Sequence, residues 1–134
     1  MNKVIDLSIG ALVFRAGKLV VLQRKDNGRW DFPKGHPVEG ESDEQTLRRE
    51  LFEECGIKNM TIMKGFREQI EYESSRGVLR RMIVYAVTTD DLIMLSPEHS
   101  QHQLVSIDRL KEFFEYDDIL QMAIKANNII QQVS

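Results

Sequence analysis

The chain has 134 residues, 42% of them hydrophobic and 29% charged, with a formal net charge of −3. That is enough for one domain with a real core spanning residues 1–134, and it excludes wholesale disorder. The acidic balance gives no general pull toward long nucleic acid or anionic membrane, the single Cys55 cannot form an internal disulfide, and neither a signal peptide nor an apolar run near ~20 residues is present, so a cytoplasmic protein without a membrane partner is expected.

Ile5–Phe14 is rich in aliphatic residues, and Lys18–Gln23 is a second apolar run beyond the Ala16-Gly17 turn, so the pair predicts a β-hairpin. Asp26-Asn27-Gly28 is a turn, and Pro33 and Pro37 bracket a loop that is expected to hold no regular element. A helix follows, with Ser42 as N-cap, Asp43 and Glu44 in its first turn, and Gln45 completing a capping box. Leu47, Leu51 and Cys55 recur every four residues and should face the core with Phe52 beside them, while Gly56 stands where a left-handed residue closes a helix. Met60–Glu73 and Val78–Thr88 predict a second hairpin, although alternation weakens between Lys64 and Glu71. Ile93–Leu95 and Leu104-Val105-Ser106 read as short strands. A helix capped by Ser106 or Asp108 is expected through Phe114, and a last helix from Asp117, with Ile119, Leu120, Ala123, Ile124 and Ile130 as its apolar side. Strands early, one interrupting helix and closing helices predict a mixed α/β fold, a mixed β-sheet sandwiched between helices.

The predicted Ser42 helix puts Glu50, Glu53 and Glu54 on one face, at i, i+3 and i+4. Such a cluster is either a solvated acidic patch or a cation site. As a cation site it suits a hard ion such as Mg2+ or Mn2+, which takes oxygen ligands; no Cys or His set suggests zinc.

Around this face the spacing is fixed over many positions: Gly35, five residues, Glu41, seven residues, Arg49-Glu50-Leu51, then Glu53-Glu54 and Gly56-Ile57. It resembles in full the signature box of the Nudix hydrolases. The flanking WDFPKGH, GFREQIEY and Pro97-Glu98-His99 are similar to segments of the bis(5′-nucleosyl)-tetraphosphatase subgroup. The resemblance implies the Nudix fold and metal-dependent hydrolysis of a nucleoside diphosphate linked to another group, with dinucleoside polyphosphates such as diadenosine tetraphosphate as leading substrates. It implies Glu50 and Glu54 as principal metal ligands, Glu53 sharing metal binding or orienting water, Glu98 as an extra ligand or general base, and the backbone at Lys34 completing the site. Arg49 and Glu41 are implied to be an ion pair that orients the catalytic carboxylates, with Gly35, Gly40 and Gly56 shaping the loops. Phosphate would meet Lys34, Arg80, Arg81 and His99, and a nucleobase would stack between Tyr72 and Tyr116. Of the two arginines, strand alternation points one inward and one outward.

The subgroup's tryptophan after Glu98-His99 is replaced by Gln103-Leu104-Val105, and the basic residue before it is missing. Nucleoside triphosphate, RNA 5′-end and diphosphoinositol polyphosphate hydrolysis therefore stay open. Outside enzymes, a nucleotide-binding module without catalysis and an acidic interaction domain also remain.

Overall fold

The computed structural model describes residues 5–74, 76–115 and 117–133. A mixed sheet runs β3-β2-β1-β6-β5, with β4 paired to β1 and β7 paired to β2. The strands are β1 (Ile5–Arg15), β2 (Lys18–Arg24), β3 (Trp30–Asp31), β4 (Lys34–Gly35), β5 (Thr61–Glu73), β6 (Leu79–Thr88) and β7 (His99–Val105). Helix α1 (Asp43–Cys55) follows β4, and a 3-10 turn (Ile107–Glu112) leads toward α2 (Asp117–Val133).

β1 lies at the centre, parallel to β6 from Ile5↔Leu79 to Phe14↔Thr88. It is buried without interruption from Ile9 to Phe14, as a strand covered on both faces must be. Alternation splits that run: Ile9, Ala11 and Val13 join Leu47, Leu51 and Cys55 of α1, while Leu12 and Phe14 join Leu120, Ala123 and Ala126 of α2. The sheet is therefore sandwiched between helices, as expected. At the β1–β2 hairpin both turn residues have positive φ, 53° at Ala16 and 77° at Gly17, the twist that a two-residue turn needs.

Helix α1 carries the expected ends. Ser42 Oγ accepts from Gln45 N, the Gln45 side chain returns to the Ser42 backbone, and Gly56 is left-handed at φ 69°. Other expectations need correction. Phe52 is 52% exposed: one residue past buried Leu51, it turns about 100° off the core and lies under the Lys58 ammonium. Ile124 likewise turns outward beside buried Ala123. The Pro33–Pro37 loop does hold β4, which pairs with β1 at Ile9↔Gly35 and Gly10↔Lys34. Ile93–Leu95 is not a strand; its Met94 N–H serves the end of α1 instead, as described below. β7 begins at His99 and not at Leu104, because pairing with β2 recruits its polar half. Ser106 opens the 3-10 turn without a side-chain cap, and the turn stops at Glu112. The weak alternation in β5 coincides with a register shift between Ile62 and Arg67, with Gly65 at φ 86°.

Candidate active site

A cavity of about 280 Å³ opens between the β3–β4 loop, the end of α1, the loop before β7 and the starts of β1 and β6. The β3–β4 loop is pinned by Ala11 N donating to Pro33 O at 3.0 Å. Lys34 Nζ reaches Asp31 Oδ2 at 2.7 Å, and both residues border the cavity. Gly35 leaves room for the Glu50 carboxyl: a Cβ there would lie 2.0 Å from Glu50 Cδ and would displace it. The box glycine thus lets a carboxylate lie directly on the backbone.

On α1, Arg49 is the hub. Its Nε donates to Glu41 Oε2 at 2.8 Å and its Nη2 to Glu41 Oε1 at 3.0 Å. Nη1 serves Glu50 Oε1 at 2.8 Å and Glu53 Oε2 at 3.3 Å, and Nη2 also reaches the His36 carbonyl at 2.9 Å. The guanidinium, helped by the Val38 N–H, holds the Glu41 carboxyl down at about 2. Burial pushes Glu50 up, and Arg49 opposes that shift. Glu53 is half exposed and does not border the cavity.

Glu54 is the carboxyl that faces the cavity. It accepts the Lys34 backbone N–H, and burial, with the charges of Glu50 and Glu98 adding to it, pushes it up to about 8. Its Oε2 is buried without a partner. An orphaned carboxylate oxygen beside two further carboxylates is a place where positive charge is missing. The donors around it are oxygens, which fits a hard divalent cation. Among the described residues, no three carboxylate, imidazole or thiol groups already converge as ligands. Glu50 and Glu53 are turned onto Arg49 instead.

Glu98 reaches the same cavity from the other side. Its loop is fastened to the end of α1, with Met94 N on Cys55 O at 2.8 Å and Ser96 N on Glu54 O at 3.1 Å, while Lys25 N holds the Glu98 carbonyl at 3.1 Å. The approach is close enough that a Cβ on Gly56 would lie 2.9 Å from Met94 Cβ. His99 borders the cavity but is 8% exposed, its Nδ1 has no partner, and burial lowers its pKa. The ring is thus biased toward its neutral form, poorly suited to meeting phosphate as a cation.

Tyr72, Arg80 and Arg81 border the far end. Tyr72 is 52% exposed and stands opposite Arg80 in the β5–β6 register. The arginines diverge as alternation requires, Arg80 to Asp6 at 2.8 Å and Arg81 to Glu71 at 2.6 Å, yet both border the cavity. Tyr116 lies outside the described residues. Sequence reasoning missed Asp6, Arg24 and Asp31 in the wall. Arg24 is held by Asp26 through a two-pronged pair at 3.0 and 2.7 Å. Only the Asp26-Asn27-Gly28 turn beside it hinted that this strand end was special.

The NUDIX domain profile matches residues 5–131. A bis(5′-nucleosyl)-tetraphosphatase [asymmetrical] of Sus scrofa is 33% identical over 106 residues, 74% of this chain and 71% of that protein. An RNA pyrophosphohydrolase of Sulfurovum is 34% identical over 97 residues, covering 69% of this chain and 62% of that one. In fold, a C. elegans Ap4A hydrolase binary complex superposes with a TM-score of 0.82 at 24% identity, over 95% of this chain and 98% of that one.

Proposed function

The chain belongs to the Nudix family of hydrolases, and on that premise we propose that its cavity cleaves a phosphoanhydride bond in a dinucleoside polyphosphate such as diadenosine tetraphosphate. The observation that carries this reading is the buried, unpartnered Oε2 of Glu54, a residue that borders the cavity and feels the charges of Glu50 and Glu98. Glu50, Glu54 and Glu98 are the residues that would hold Mg2+ or Mn2+, joined by Glu53 and the backbone at Lys34. Such a cation, when bound, neutralises phosphate charge and lowers the pKa of water.

The protein's own part is then binding, orientation and proton transfer. Lys34, Arg80 and Arg81 border the cavity with positive charge for a phosphate chain. Tyr72 offers an aromatic face, and stacking on such a face contributes ~1–3 kcal/mol per base. A carboxylate oxygen of Glu98 or Glu53 accepts a proton from the attacking water. The water oxygen forms the new bond to phosphorus, and the bridging P–O bond breaks, its electron pair leaving on the oxygen of the departing phosphate. Arg49 is not a base: as a guanidinium raised further by its carboxylate partners, it fixes where Glu41, Glu50 and Glu53 point. Residues 1–134 are read as one catalytic domain.

The likeness to the Sulfurovum RNA pyrophosphohydrolase supports a second reading, release of pyrophosphate from an RNA 5′ end. One panel separates the two: diadenosine tetraphosphate, ATP and 5′-triphosphate RNA, each with Mg2+, with products resolved by chromatography. The highest kcat/KM on diadenosine tetraphosphate supports the first reading, and preference for RNA moves the substrate to the second. No turnover on any of them removes the hydrolytic reading and leaves a nucleotide-binding module.

A further inference from the structure

Four of the basic side chains bordering the cavity are each matched to an acid: Arg24 to Asp26, Lys34 to Asp31, Arg81 to Glu71 and Arg80 to Asp6. The last pair differs in what its acid does. Asp6 stands directly beside Arg80 in the parallel β1–β6 register. Its Oδ2 takes Arg80 Nη1 at 2.8 Å, and its Oδ1 lies 3.2 Å from His36 Nδ1. That imidazole nitrogen is also 2.9 Å from the Leu7 carbonyl. A carbonyl can only accept, so Nδ1 carries the ring proton and gives it to Leu7, with the Asp6 carboxylate lying beside the same N–H. The His36 carbonyl, in turn, is held by Arg49. Asp6 thus connects the arginine at the far end of the cavity with the loop that leads into the box helix.

We propose that Asp6 is a positioning residue for Arg80: steadied by His36, its carboxylate takes one guanidinium N–H and leaves the other donors of Arg80 turned toward the phosphate chain of the nucleotide. This rests on the phosphoanhydride-hydrolase reading above. An arginine has five N–H donors in a planar fork, so a single bond to Asp6 fixes the plane without using the fork up. Arg80 keeps 45% of its side chain exposed and stands beside the turn end of the β5–β6 hairpin. Without Asp6, its rotamers would be shared between cavity and solvent, and the entropy of fixing them would fall on substrate binding.

The test is a double-mutant cycle on Asp6→Asn and Arg80→Ala. KM and kcat are read with diadenosine tetraphosphate and Mg2+, the Kd of inorganic tripolyphosphate by calorimetry, and Tm for each variant. Asp6→Asn should raise KM and Kd about fivefold, the upper end for an exposed charged pair, with kcat and Tm little changed. In the Arg80→Ala background it should add nothing, because residues that act through one another do not add. An unchanged or tighter Kd in Asp6→Asn would overturn the proposal, and so would a full additional effect on top of Arg80→Ala, or a parallel loss of kcat and Tm. A protein that binds tripolyphosphate with this pattern yet hydrolyses no nucleotide would uphold Asp6 and overturn the hydrolase reading. Turnover that is indifferent to Asp6 would do the reverse.

Discussion

The backbone N–H of Ser96 donates to the carbonyl oxygen of Glu54 across 3.1 Å. The loop that delivers Glu98 to the cavity is therefore seated on the same helical turn that delivers Glu54. A helix leaves its last carbonyls without partners; here Met94 and Ser96 take two of them, and Gly56 is what lets the loop come close enough.

Gly56 and Gly40 form a matched pair for testing this seat. Both have positive φ, 69° and 88°, but nothing lies within 4 Å of a Cβ on Gly40, while one on Gly56 meets Met94. Alanine at either position should reduce stability by about 1–3 kcal/mol through backbone strain, measured by urea denaturation. Gly56→Ala should lose more, and it should also lower kcat, since Glu98 moves with the loop. Equal losses in the two variants would show that the Met94 contact does not matter.

Gly35→Ala should separate activity from stability. Its Cβ would overlap the Glu50 carboxyl at 2.0 Å, and that carboxyl is the far end of a side chain that can move. The fold should hold within about 1 kcal/mol, as for a substitution whose neighbour can give way. A displaced carboxylate in the candidate metal set should lower kcat about a hundredfold, the scale of a 1 Å misplacement. Thermal unfolding and initial rates on the same preparation decide it.

Acid should unfold the box loop through Glu41. Its folded-state pKa of about 2 lies below the ordinary 4.5, because Arg49 and the Val38 N–H bind the ionised form. The folded state therefore gains from this group above pH 4.5, and the gain disappears as pH falls from 4.5 toward 2. Tm of the intact protein should fall steeply across that window. In Glu41→Gln it should start lower and fall less.

Glu54 predicts the opposite slope. Its carboxyl is raised from 4.5 to about 8 by burial and by Glu50 and Glu98. Between those values the folded protein holds a proton that the unfolded chain has released, so in the metal-free protein stability should decline as pH rises from 4.5 to 8. Millimolar Mg2+ or Mn2+ should restore Tm at pH 8 and change it little at pH 4.5. In Glu54→Gln both the slope and the metal effect should shrink. Calorimetric scans with and without EDTA would show it.

What was readable in the chain was what is local. The α1 helix could be derived residue by residue, since Ser42, Gln45, the Leu47–Leu51–Cys55 stripe and Gly56 act within one element. The sandwich followed from the order of the elements, strands early, one interrupting helix and closing helices. Ile93 and Leu95 are apolar enough to read as strand, and both do pack on the α1 side of the core. They are loop because the N–H groups of Met94 and Ser96 belong to α1, a pairing that no periodicity reports. β7 was missed over His99–Gln103 for the mirror reason: those polar residues are strand because β2 offers them a partner. In the candidate site the box carboxylates were visible as a spaced cluster, but Asp6 and Arg24 were not. One lies at the start of an ordinary apolar strand and the other ends one, and only the fold brings them to the cavity wall.

The central claim is that the cavity holding Glu54 is where phosphoanhydride bonds are broken. The most direct measurement is the initial rate of diadenosine tetraphosphate hydrolysis with Mg2+, intact protein against Glu54→Gln, at equal concentrations of folded enzyme. The account predicts turnover by the intact protein and a loss of more than about a hundredfold in the variant, beyond what losing a residue that only supports a metal's ligands brings. Equal rates in the two proteins would contradict it.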